Sequence, residues 1–110
     1  MKNIELIEQF EFGKIAESAK NKEVRKIFDG VRRQIISIKL RNNEVLSKHK
    51  ANEPLTIFCL AGNGKLLAGK NLDEKQVLTT GTFVTLEAQV EHEVVAEPEL
   101  HILVTKFKEQ

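Results

Sequence analysis

From Val24 onward, apolar residues recur at every second position in short runs, and each run stops at a turn-forming residue. A side-chain period of two belongs to a strand with one buried face, whereas a helix would repeat at three and four. The runs are Val24 to Phe28, Val31 to Leu40, Leu55 to Ala61, Lys65 to Leu67, Gln76 to Thr79, Thr82 to Leu86, Glu91 to Val95 and Leu100 to Phe107. Asp29-Gly30 between the first two reads as a tight hairpin turn with positive φ angles, and Gly62-Asn63-Gly64 reads as a second hairpin turn. Short strands in this number must cover their edges, and a sandwich or closed barrel does so.

With 110 residues there is room for one hydrophobic core, so the chain is expected to form a single domain. The barrel is expected over residues 24–110, after an extension over 1–23. Within that extension, Gly13 to Lys22 reads as partly helical, with Ile15 and Ala19 one turn apart. A hydrophobic content of 41% and a charged content of 30% are those of a folded soluble chain.

Seventeen basic residues against 16 acidic ones leave a net charge of +1, which gives no global field to draw in nucleic acid or an anionic membrane. The local cluster of Arg25, Lys26, Arg32 and Arg33 reads as a solvated strand face. Charges interrupt the first apolar residues, and no segment approaches membrane-spanning length, so neither a signal core nor a span is expected. Cys59 is the single cysteine and cannot close an internal disulfide; a cytoplasmic home is the expectation.

Two blocks carry a family resemblance. Asn43, His49, Ala51, Leu55 and Gly62 fall at the spacing of a motif that usually has a glycine, two histidines, a glutamate and a closing glycine. Gly81, Glu87, Gln89, His92 and Ala96 fall at the spacing of its companion, usually glycine, proline, glycine, histidine and asparagine. In this respect the chain resembles the cupin superfamily. The resemblance implies an all-β, jelly-roll type barrel and a divalent-metal site built from three histidines and a glutamate. Here Ala51 and Leu55 stand where the second histidine and the glutamate would be, so His49 and His92 are left as the metal ligands, for a weakly held ion.

If Leu55 points inward, strand parity turns Ile57 and Cys59 inward too, which makes Cys59 a candidate soft third ligand, although an apolar thiol in such a run ordinarily only packs. The same parity places Val45, Ser47, His49 and Ala51 on one face and His92, Val94 and Ala96 on another. The expected pocket is therefore lined by His49, His92, Ala51, Leu55, Ile57, Cys59 and Val94. Such a lining suits a small, partly hydrophobic ligand gripped by imidazole.

Other candidates are weaker. His101 has opposite parity to Leu100 and Ile102 and reads as a solvated or interface histidine. Glu91 and Glu93 flank His92 and so point outward. The stretch from Ala61 to Lys65 lacks the spacing of a phosphate loop, and no serine sits in a nucleophile elbow.

The favoured reading is a small-molecule-binding barrel with a degenerate metal site. The alternative is an isomerase or oxygenase type enzyme in which His49 and His92 hold a metal or act as acid and base. Phe10, Phe12 and Ile15 supply apolar surface that one small barrel does not cover, and a homodimer is expected. Light scattering coupled to size exclusion should give about twice the 12.5 kDa chain mass; monomer alone at every concentration would overturn the dimer.

Overall fold

The computed structural model describes residues 3–7 and 20–109. Among them are seven strands: β1 (Lys22–Asp29), β2 (Arg33–Leu40), β3 (Val45–His49), β4 (Leu55–Ala68), β5 (Glu74–Thr79), β6 (Phe83–Leu86) and β7 (His92–Phe107). The fold is all-β and antiparallel. Residues 8–19, which hold most of the expected helical segment and the Phe10, Phe12 and Ile15 surface, lie outside the described residues; Lys22 is already in β1.

Two strands are much longer than the sequence pattern suggests, and they organise the rest. β4 runs through the expected Gly62-Asn63-Gly64 turn without reversing, and β7 fuses the two runs on either side of Glu97-Pro98. They pair along nearly their whole length, from Leu55 opposite Lys106 to Ala68 opposite His92. One half of this ribbon is flanked by β2 on the β7 side and β6 on the β4 side, with β1 beyond β2. The other half is flanked by β3 and β5.

The ribbon changes register twice, between Cys59 and Ala61 and between Gly62 and Gly64. The first bulge inserts Leu60, so the inward row of β4 switches from Leu55, Ile57 and Cys59 to Leu66 and Ala68. At the second, β7 makes an excursion through Glu97, Pro98 and Glu99. A Cβ at Gly62, where φ is +87°, would lie 2.2 Å from the Glu99 carbonyl oxygen, and one at Gly64 would lie 2.3 Å from that of Val95. These glycines therefore mark a bulged close approach of two backbones within one strand, a use glycine serves as readily as a turn.

Inward side chains from both halves share one core: Ile36, Ile38 and Leu40 of β2, Leu55 and Ile57 of β4, Leu78 of β5, and Val94, Leu100, Ile102 and Val104 of β7. Each such side chain contributes about 1.5–3 kcal/mol by leaving water. Buried Arg41, just after β2, ties the start of the sheet: its guanidinium donates to the Lys20 carbonyl at 2.7 Å and to Glu23 Oε2 at 2.6 Å. That hydrogen bond holds the half-buried Glu23 carboxyl below the usual carboxylate range.

The Asp29-Gly30 hairpin joins β1 to β2 as expected, but through Gly30, Val31 and Arg32, with neither Asp29 nor Gly30 at positive φ. An extra residue, Ile27, bulges β1 just before the turn and alters the approach of the strands. The basic cluster lies around this hairpin, where Arg33 covers the Phe28 ring at 4.6 Å and Lys26 pairs with Asp29 at 3.5 Å.

Two alanine substitutions separate the roles of glycine here. Gly81→Ala meets no atom within 4 Å but keeps a φ of +94°, so it should cost about 1–2 kcal/mol in urea denaturation. Gly62→Ala adds the clash with Glu99 and should cost several times as much or prevent folding; equal effects would refute the bulge as the point of close approach.

Candidate functional site

The fold of the ribbon brings its two ends to one cavity of about 170 Å³, lined by residues from β1, β2, β3, β4 and β7. The apolar wall is Val24, Ile36, Ile38, Leu46, Leu55, Ile57, Val94, Ile102 and Val104; the polar groups are His49, His92 and Lys106.

His92 opens β7 and is almost fully buried, while His49 closes β3 at the exposed mouth. The two are direct cross-strand partners, with ring centroids 4.2 Å apart and planes tilted by 57°. Between Leu46, opposite Val94, and His49, opposite His92, β3 carries one residue more than β7. This bulge puts Leu46 and His49 on the cavity side together. The simple alternation expected of β3 is thereby corrected: Val45 and Ser47 do not line the cavity, and Leu46 does.

Each imidazole is held by its own chain. His49 Nδ1 lies 2.7 Å from the Ser47 carbonyl oxygen and His92 Nδ1 lies 2.9 Å from that of Val90. A carbonyl can only accept, so both Nδ1 atoms carry hydrogen and donate it, and in the neutral rings both Nε2 atoms keep a lone pair. Burial pushes the His92 pKa below the usual histidine range; the hydrogen bond to Val90 opposes this, and the charges of His49 and Lys106 add to it. His92 is therefore a neutral acceptor at physiological pH.

Leu55, Ile57 and Val94 line the cavity with the two histidines, whereas Ala51 and Cys59 do not. Ala51 lies in the loop after β3, half-buried against the core. Cys59 is fully buried, its Sγ–H donates to the Ala61 carbonyl at 3.6 Å, and burial raises its thiol pKa. A neutral thiol turned to its own strand packs as an apolar group, the reading favoured for a cysteine in such a run, and is not a third ligand. Among the described residues no three His, Cys, Asp or Glu side chains gather as a metal site. The donor set thus does not fit a four-ligand metal centre, for the chemical reason already visible at Ala51 and Leu55.

Lys106 is the polar lining residue that the expected pocket did not include. Its signal was available: it shares the parity of Leu100, Ile102 and Val104 in the last strand, and the structure keeps that row inward. The contributions of Val24, Ile36 and Ile38 had no such signal, because they depend on which strands meet across the core.

Comparison with known proteins is decisive at the level of fold. No family model and no curated protein matches the chain. Among solved structures, a cupin superfamily protein from Desulfitobacterium hafniense superposes with a TM-score of 0.76 at 16% identity, covering 84% of each chain. The chain has the cupin fold. A conserved protein of unknown function from Streptococcus pyogenes matches with a TM-score of 0.76 at 14% identity over 98% of each chain. KdgF from a Halomonas species matches at 0.71 and 14% identity, over 86% of each chain.

On the opposite side of the β7 strand from the cavity, His101 is not solvated as expected. Its parity does turn it away from Leu100 and Ile102, but it is fully buried and shares a hydrogen bond of 2.8 Å with buried Ser37. Burial, reinforced by Lys39, lowers its pKa from 6.5 to about 4. Between those values the unfolded chain takes a proton that the folded chain refuses. Its contribution is thus complete above pH 6.5 and lost as pH falls toward 4. Urea denaturation should show up to about 3 kcal/mol of such loss, and His101→Gln should flatten that part of the profile. An unchanged slope in the variant would assign the loss to other groups.

Proposed function

We propose that this cupin-fold protein is a small-molecule-binding module. Its cavity takes the apolar body of a ligand, and the paired Nε2 atoms of His49 and His92 accept hydrogen bonds from the ligand's polar end. The observation that carries this reading is the pair of clamped imidazoles, 4.2 Å apart, on an otherwise largely apolar cavity. A few fixed polar groups on an apolar wall are the usual anatomy of a ligand site. Two protein donors without a third make a weak hold on a metal ion, so the reading does not route through one. A cytoplasmic location belongs to the same proposal, supported by the single, buried Cys59, and so does a homodimeric state.

Acid–base catalysis is the second reading, favoured by the unprotonated Nε2 of His92, which burial keeps ready to accept a proton. It would make the protein a metal-free enzyme, with His49 as the second proton carrier. Turnover that survives chelator and disappears in His92→Ala would establish it.

Methyl NMR tests binding directly. Hexan-1-ol should shift the methyls of Ile36, Ile57 and Ile102. His49→Ala/His92→Ala should weaken its affinity about fivefold, and Val94→Phe, which fills the cavity, should abolish it. Elemental analysis of untagged protein prepared without chelator should find metal well below one ion per chain. One ion per chain, lost in the double histidine variant, would overturn the metal-free reading.

A further inference from the structure

We propose that the cavity selects ligands bearing one carboxylate, and that Lys106 is the residue that selects for that charge. This inference rests on the small-molecule reading above and names the ligand class.

Lys106 lies at the far end of the β4–β7 ribbon from His92, opposite Leu55 of β4 and Gln34 of β2, in the inward row with Ile102 and Val104. Because the ribbon folds at its bulges, Lys106 and His92 line the same cavity. Lys26, Lys48, Lys65 and Lys108 each pair with an acidic side chain. Lys106 forms no ion pair among the described residues.

Among the described residues no Asp or Glu lines the cavity, so none of the described lining balances the ammonium. A cation facing apolar walls gains most from an anion brought by the ligand, because removal from water strengthens the attraction. The same charge works against a divalent cation: Lys106 already acts on His92 as a repelling positive charge, behind burial as the main influence on that ring.

One lysine balances one charge, which favours a monocarboxylate over a phosphate. The volume sets the body. A cavity of about 150 Å³ holds benzene, so one of about 170 Å³ takes a short aliphatic or single-ring body. With the carboxylate at Lys106, a hydroxyl elsewhere on the ligand would donate to the imidazole Nε2 atoms.

The test compares hexanoate, hexanamide and hexan-1-ol, titrated into the full chain while the cavity methyls are followed by NMR. Hexanoate should bind about tenfold tighter than hexanamide. Lys106→Met should erase that preference, bringing hexanoate down to the affinity of hexanamide, and Lys106→Arg should keep it. Lys106→Gln removes the same charge should the methionine variant not fold. Equal binding of hexanoate and hexanamide, or a preference that persists without the charge, would overturn the carboxylate inference and leave the binding cavity standing. Absence of methyl shifts with all three probes would overturn both.

Discussion

The close approach of two backbones at Gly62 and Gly64 is the constraint on which the molecule depends. Only residues without a Cβ let β4 come within reach of the β7 carbonyls at Glu99 and Val95. The bulges there let one long antiparallel ribbon bend so that its two halves face each other across a single core. A barrel assembled this way needs no separate strands for its two walls, because β4 and β7 each serve both.

The site follows from that bend. His92 and Lys106 stand near opposite ends of one strand, yet both line the cavity because the ribbon closes on itself. His49 joins them through the extra residue in β3, which turns it to the same side as Leu46. Backbone carbonyls of Ser47 and Val90 then decide the tautomers, leaving a lone pair on the Nε2 of each neutral ring. What remains is a hydrogen-bonding mouth on an apolar chamber, with a lysine that forms no ion pair among the described residues.

Buried polar groups elsewhere serve the scaffold. Arg41 anchors the first strand through Lys20 and Glu23, and His101 with Ser37 forms a hydrogen-bonded pair on the outer side of the sheet, at the cost of a histidine that resists protonation. Such groups are tolerated where a hydrogen bond replaces the water that is lost, as it does between Ser37 Oγ and His101 Nε2.

Much of this was legible in the residues themselves. Alternation along Leu55, Ile57 and Cys59, and along His92, Val94 and Ala96, correctly assigns their inward faces, since strand parity is a local property of the chain. The spacing of His49 and His92, and the loss of donors at Ala51 and Leu55, are likewise readable one residue at a time. Tertiary structure alone decided that Gly62-Asn63-Gly64 is a bulge rather than a turn, that Leu46 replaces Val45 and Ser47 in the cavity wall, that Cys59 packs away from it, and that His101 is buried. Each of these depends on which strand lies alongside, and bulges reset parity at the places where a local pattern cannot see them.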